Sequence, residues 1–513
     1  MKKVLGIELG STRIKSVLID ENACVIAQGA HDWENKLENG LWTYSLEDVW
    51  SGLQSSYADL CKNFGEKIEH LDGIGISAMM HGYLAFDKDD NLLVPFRTWR
   101  NTNTAEAARE LTEALSFNMP QRWSTTHFYQ AVLNKEEHID KVDFLTTLAG
   151  YVHWMLTGKK VLGIGDAAGM FPISDSDLDY DKARLEKFDA LLKSHGVNKK
   201  LYDLLPKALV AGEDAGSLTD TGASLLDPTG TLKAGAKLCP PEGDAGTGMV
   251  ATNAVKARTG NVSAGTSAFA MVVLEKPLST VNESIDVVAT PTGKGVAMVH
   301  ANNFTNEINA WASLFDEVIA LAGASIKRGA LYDKMYEKSA ESDACVGDLV
   351  AYNFLSGEPI VGMESGVPLV MRLPNSKMTL ANFTQMLLYS ALGAMSIGME
   401  ALEKEGVKID DICGHGGFFK TPFIGANAMS AALGAPITVM KNAGEGGAWG
   451  VSVLALYNVV KNGSLEDFLD KLFASAEKET TIANDETKAK FAYFMQNYKK
   501  GLSTEKQATA DFN

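Results

Sequence analysis

The sequence predicts an α/β protein made of two related halves, and three observations lead there. At 513 residues the chain exceeds what one hydrophobic core supports, so two or three domains are expected. The segment GIELGSTRIKSVLIDE at 6–21 has a counterpart, GNVSAGTSAFAMVVLE, at 260–275. Each reads strand, Gly-(Ser/Thr)-(Ser/Thr) turn, strand, acidic residue, and each starts one half of the chain. Lastly, four glycine-centred turns recur along the chain: GIELGST, the glycines around Asp244, AGTS at 264–267 and GHGGFF at 414–419.

The elements follow in order. Val4-Leu5-Gly6-Ile7 leads into the Gly10-Ser11-Thr12 turn, Ile14 to Ile19 returns, and Ala23 to Ala27 continues after Asp20-Glu21-Asn22. Ser45, with Asp48 three residues on, caps a helix in which Leu46, Val49, Trp50, Leu53 and Tyr57 recur at helical spacing. Gly73 to Ser77 is a short strand ending in Ala78-Met79-Met80-His81-Gly82, and helices are expected near 103–115, 144–157 and 180–193. A Gly-, Pro- and Asp-rich stretch over 211–246 ends in PPEGDAGTG. A long helix from about Thr379 to Glu403 carries a methionine stripe expected to pack, another runs to about Leu433, and Gly444-Glu445-Gly446-Gly447 opens a further one. Beyond about Asn462 the chain turns polar, and its last dozen residues read as a frayed tail.

Composition narrows the chemistry. The chain is 46% hydrophobic and 22% charged, and its apolar runs fall short of the ~18 residues of a membrane-spanning helix. No secretion signal is read at MKKVLGIELG, so the cytoplasm is the expected compartment. A net charge of −17 opposes nucleic-acid binding but leaves room for a nucleotide held by backbone N–H groups. Five scattered cysteines and nine histidines without metal-ligand spacing give no disulfide framework or transition-metal site.

Glycine lets successive N–H groups converge on an anion, and a helix N-terminus adds a favourable field. Four such turns, two of them related as a repeat, suggest a nucleotide clamped between two halves. Asp244 in EGDAGTG reads two ways: as an N-cap, or as a carboxylate that takes a proton from a hydroxyl during phosphoryl transfer. His81 is either structural or, at a strand end, part of a binding cleft. Trp99-Arg100-Asn101-Thr102-Asn103 can stack on and hydrogen-bond a sugar, or cap the helix that follows.

From about residue 3 to about 460 the chain resembles the FGGY family of carbohydrate kinases. The motifs are GIELGSTRIK; ISAMMHG at 76–82; Leu156-Thr157-Gly158 with Gly165-Asp166-Ala167-Ala168-Gly169; GDAGTG at 243–248; GTS at 265–267; FLSGEP at 354–359; GHGGFFK at 414–420; and EGGAWG at 445–450. The resemblance implies a two-lobed actin-like, ribonuclease-H-like duplicated fold with the active site in the interlobe cleft. It implies an N-terminal lobe over 1–253, a C-terminal lobe over 254–490, and a helix end and tail over 491–513. It makes Asp244 the general base, and Met80, His81, Asn101 and Asp244 the sugar contacts. Ser11, Thr12, Lys15, Gly265, Thr266, Gly416, Gly417 and Lys420 would hold ATP, with Glu8 (through water) and Asp244 serving Mg²⁺.

The departures cluster. Glu8 stands where the family usually has Asp, keeping the charge with one more methylene. Met79 replaces a glutamine before Met-His-Gly, Asn101 replaces the Asp of Trp-x-Asp, and HFYQAVLN at 127–134 replaces Pro-Lys-Leu-x-Trp. All but Glu8 fall on the sugar side. The expected activity is ATP-dependent phosphorylation of a terminal hydroxyl of a ketopentose, L-ribulose or D-xylulose. The alternatives are a kinase for another polyol or sugar acid, or a non-catalytic sugar or nucleotide sensor. A chaperone ATPase on the same fold would want a peptide-binding domain beyond position 462. The expected partners are sugar and ATP, with no nucleic acid or membrane, and a homodimer is the assembly considered.

Overall fold

The structure, a computed structural model, describes residues 2–421, 423–440 and 446–512. Contacts divide the chain into two units. The first comprises 1–256, 286–296 and 443–475, and the second 257–285, 297–442 and 476–513. This differs from a single cut at 253/254: two later segments of the chain are counted with the first unit.

In the first unit, Val4–Leu9, Arg13–Ile19 and Val25–Asp32 form an antiparallel meander. Gly73–Ala78 adds to Val4–Leu9 in parallel, and Lys237–Leu238 and Glu242–Gly243 add in parallel to Gly73–Ala78. The pleat sorts the first strand. Leu5, Ile7 and Leu9 enter a core with Ile14, Leu18, Ile74 and Ile76. Gly6 and Glu8 take the other face, under the helix Gly447–Val460. A Cβ at Gly6 would stand 2.2 Å from the Ala448 carbonyl, and one at Gly75 would stand 2.4 Å from that of Val451, so only glycine admits the helix at both positions. The helix Leu46–Phe64 begins as expected, with the Asp48 N–H donating to Ser45 Oγ at 2.9 Å.

The second unit repeats the pattern. Thr259–Ala264 pairs antiparallel with Ala268–Val273 and parallel with Asp411–His415, which pairs parallel with Ile437–Met440. These strands stand in the order of Val4–Leu9, Arg13–Ile19, Gly73–Ala78 and the 237–243 strands. The helix Leu380–Lys404 buries Met386, Met395 and Met399, so its methionines are core.

Two local expectations change. Phe144–Thr146 is a strand, and the helix starts at Leu148 behind the Thr147 cap. The C-terminal segment is no frayed tail. Asp485–Phe512 is one helix, and Tyr498 and Glu505 on it are fully buried. Gly444 and Glu445 lie outside the described residues. Among the described residues, no helix is long and apolar enough to cross a membrane.

Candidate active site

Asp244 and its surroundings lie in the first unit. Adjacent parallel strand ends, in register at Glu242↔Ser77 and Gly243↔Ala78, bring Met79-Met80-His81 beside Asp244. Gly243 is needed there, since a Cβ would meet Met80 Cγ at 2.2 Å. Gly243 is also the N-cap of the helix Asp244–Ala251, whose first residue is Asp244; the capping reading of Asp244 is thereby corrected. The Asp244 carboxylate accepts the Ala245 N–H at 2.9 Å and the Met80 N–H. Solvent reaches Asp244, yet the protein crowding it pushes the carboxyl up to about 6, while those N–H groups oppose the rise.

Beneath Asp244 sit two more carboxyls that the sequence reading did not single out. Asp166 and Glu242 are fully buried. Thr147 Oγ1 donates to Asp166 Oδ2 at 2.7 Å, and the Gly165 N–H donates to Glu242 Oε1 at 3.3 Å. Asp166 Oδ1 and Glu242 Oε2 have no hydrogen-bond partner among the described residues. Burial first, then Asp244, raises Asp166 to about 7; burial first, then Asp166, holds Glu242 well above the usual carboxylate range. The signal for the pair was in the sequence, in the repeated Gly-Asp-Ala at 165–167 and 243–245 and in the Glu before the second copy.

His81 has φ +68° and is 5% exposed. Its Nδ1 lies 2.9 Å from the Gly169 carbonyl, so Nδ1 carries the hydrogen and Nε2 is an acceptor. Burial, aided by Arg122, lowers it to about 3, so the ring is neutral. Trp123 stacks on it at 6.0 Å. Arg122 pairs with Asp286, which also accepts from Asn118 at 2.9 Å. These three residues were missed because 286 is far from 118–122 in sequence.

Asn101 does not serve as expected. It is 3% exposed, its Nδ2 donates to the Trp42 and Thr98 carbonyls, and its Oδ1 accepts the Trp42 N–H at 2.9 Å. Both Nδ2 hydrogens are taken by backbone carbonyls and Oδ1 holds one backbone N–H, so the buried side chain ties Trp42 to the Thr98 turn. Trp99, 36% exposed, instead donates from Nε1 to Ser11 Oγ at 3.2 Å.

At the first glycine turn, Trp33 Nε1 donates to the Gly10 carbonyl at 2.7 Å and the Tyr44 hydroxyl donates to that of Ser11 at 2.6 Å. In a trans peptide the carbonyl and the next N–H point opposite ways. The Ser11 and Thr12 N–H groups are therefore turned away from these anchors, the disposition an anion needs. Glu8 and Lys15 are cross-strand partners on one face of the sheet. The Glu8 carboxylate lies at the start of Gly447–Val460 and accepts the Ala448 N–H; burial first, then Asp244, raises it to about 7. Two carboxylates that repel each other in this way suit a divalent cation, and Mg²⁺ binds through one or two carboxylates plus phosphate oxygens. Glu8 and Asp244 thus fit the metal expected from the sequence.

The second unit holds the other turn. The Gly265 N–H donates to the Ser267 carbonyl at 2.9 Å. Gly416, with φ +110°, lies so close to this strand that a Cβ would stand 2.4 Å from the Ala264 carbonyl. Gly417 opens the short turn Gly417–Phe419, and Lys420 beside it is exposed. Gly265, Thr266, Gly416 and Gly417 therefore come together.

Comparison with known proteins gives this arrangement its place. The model of the N-terminal domain of the FGGY family of carbohydrate kinases matches residues 3–229, and that of the C-terminal domain matches 260–459. The xylulose kinase of Klebsiella pneumoniae is 24% identical over 54% of this chain and 56% of that protein. The L-fuculokinase of Escherichia coli (strain K12) is 22% identical over 44% and 47%. The chain thus spans about half the length of these two relatives. For the xylulose kinase of Haemophilus influenzae the coverage is 86% and 91%, at 22% identity. The ligand-bound xylulose kinase of Lactobacillus acidophilus superposes over the whole of both chains with a TM-score of 0.81, at 17% identity, and shares the two-lobed actin-like fold. With both domain models matched in order along most of the sequence, the chain belongs to the FGGY family of carbohydrate kinases.

Proposed function

We propose that the protein is an ATP-dependent kinase that phosphorylates a terminal hydroxyl of a ketopentose, with L-ribulose and D-xylulose the leading substrates. The observation that carries this reading is Asp244, a carboxylate held by two backbone N–H groups next to a neutral histidine. Asp244 takes the proton of the sugar hydroxyl as its oxygen bonds to the γ-phosphorus and the bond to the bridging oxygen of ADP breaks. His81 Nε2 accepts from another sugar hydroxyl and fixes the sugar's orientation. The N–H groups after Gly10 and Gly265, with Lys15, hold phosphate oxygens. Gly416, Gly417 and Lys420 border the adenosine. Glu8, through water, and Asp244 would hold Mg²⁺, which would supply charge neutralisation on the phosphates. ATP supply sets the reaction in the cytoplasm.

Coupled ADP release with Mg²⁺–ATP over ketopentoses, ketohexoses, 6-deoxyketoses, glycerol and gluconate tests this, with Asp244→Asn as control. The expected result is one ketopentose stimulating turnover in the parent only. Stimulation by another class would retain the kinase and replace the substrate. None at all would overturn the reading.

A further inference from the structure

The loop FLSGEP of the second unit carries a carboxylate that the proposed mechanism does not use. Glu358 is fully buried, with no cation paired to it among the described residues. Its Oε2 accepts the backbone N–H of Asn303 at 3.2 Å and Asn303 Nδ2 at 3.3 Å. Asn303 returns the contact: its Oδ1 accepts the N–H groups of Leu355 and Ser356 at 3.0 and 3.1 Å. Asn353 Nδ2 donates to the carbonyls of Asn303 and Phe304 at 2.8 and 3.1 Å. Burial lifts the Glu358 carboxyl to about 7, with Asn303 pulling the other way.

The next two residues hold the glycine turn. The Phe304 N–H donates to the Thr266 carbonyl at 2.9 Å, and Thr305 Oγ1 donates to the Gly265 carbonyl at 2.7 Å. Both peptides are trans, so tying back these carbonyls turns the Thr266 and Ser267 N–H groups the opposite way. The aim of those N–H groups thus depends on where residues 303–305 sit, and Glu358 fixes residue 303. The first unit solves the same problem with the side chains of Trp33 and Tyr44 on Gly10 and Ser11. In the second unit the anchor is a backbone segment that needs its own clamp.

We propose that Glu358 is a positioning residue which, through Asn303 and the Phe304–Thr305 anchor, aims the Gly265–Ser267 turn at a phosphate of ATP. This rests on the reading of that turn as a phosphate site.

The test is titration calorimetry of the full chain with ATP and, separately, with adenosine, without sugar, alongside thermal unfolding. Glu358→Ala should weaken ATP about tenfold and leave adenosine within about twofold, a loss of roughly one charge-assisted hydrogen bond. Glu358→Gln keeps an acceptor for Asn303 and should restore ATP binding to near the parent value. Thr305→Val removes only the hydroxyl on Gly265, guards against a misfolded alanine variant, and should weaken ATP by about threefold to tenfold. Equal losses for ATP and adenosine in Thr305→Val, or no loss for ATP in either Thr305→Val or a folded Glu358→Ala, would overturn the proposal. So would a parent protein that binds ATP no better than adenosine. Sugar-stimulated ADP release is read separately, so a failed kinase reading is distinguishable from a failed clamp.

Discussion

Gly169 stands so close to His81 that a methyl group on its Cα would lie 2.8 Å from Nδ1, while its carbonyl takes the hydrogen of that same nitrogen. One residue therefore sets both the tautomer of the ring and the space it occupies. Gly169→Ala should displace His81 and raise the sugar KM by about tenfold, the cost of one well-placed hydrogen bond, with the ATP KM unchanged. Steady-state kinetics with each substrate varied checks this.

Asp244→Asn should lower kcat by about 10²- to 10⁴-fold while ATP still binds in calorimetry. A base works only when deprotonated. The carboxyl sits at about 6 without metal and Mg²⁺ lowers it, so kcat/KM for the sugar should be level with pH above about 6 and fall only below that value. His81, down at about 3, adds no inflection between pH 5 and 9.

Glu8→Asp should retract the carboxylate from the Ala448 N–H and move the half-saturating Mg²⁺ concentration by about threefold to tenfold, with the ranking of sugars kept. A Mg²⁺ titration of parent and variant against two sugars decides it. Altered ranking at unaltered Mg²⁺ dependence would remove Glu8 from the metal.

Glu242→Gln should stabilise the protein more at pH 8 than at pH 5. The folded carboxyl stays protonated well above 4.5, where the unfolded one ionises. The parent therefore loses about 1.4 kcal/mol per pH unit from this group as pH rises from 4.5 toward the folded value, and an amide has no such loss. Thermal unfolding at the two pH values reads the difference.

Much of this was legible. The first meander, the Ser45 cap and the repeated glycine turn are local signals, and local sequence determines them. Asp244 was legible as a position and ambiguous as a role, because an N-cap and a first-turn base differ by one residue of register. Asn101 was singled out because its type suits a sugar, and only the fold shows its amide bonded to the backbone of Trp42 and Thr98. The Asp166–Glu242 and Arg122–Asp286 pairs join residues 76 and 164 positions apart; the repeated Gly-Asp-Ala marked the first pair's residues, but neither contact could be read from periodicity or spacing. The C-terminal helix looked like tail because its polar composition hides the few buried positions, such as Tyr498 and Glu505.

The helix Gly447–Val460 lies on Gly6 and Gly75 although some 370 residues separate it from the nearer strand. During synthesis the first sheet emerges early and waits with that face bare until position 460 has left the ribosome, by which time most of the second unit already exists. A nascent chain halted between 256 and 446 holds a glycine-lined face with no helix to cover it, a surface for a chaperone to attend. A fragment ending at 256 would lack the helix that covers Gly6 and Gly75, and is expected not to fold alone.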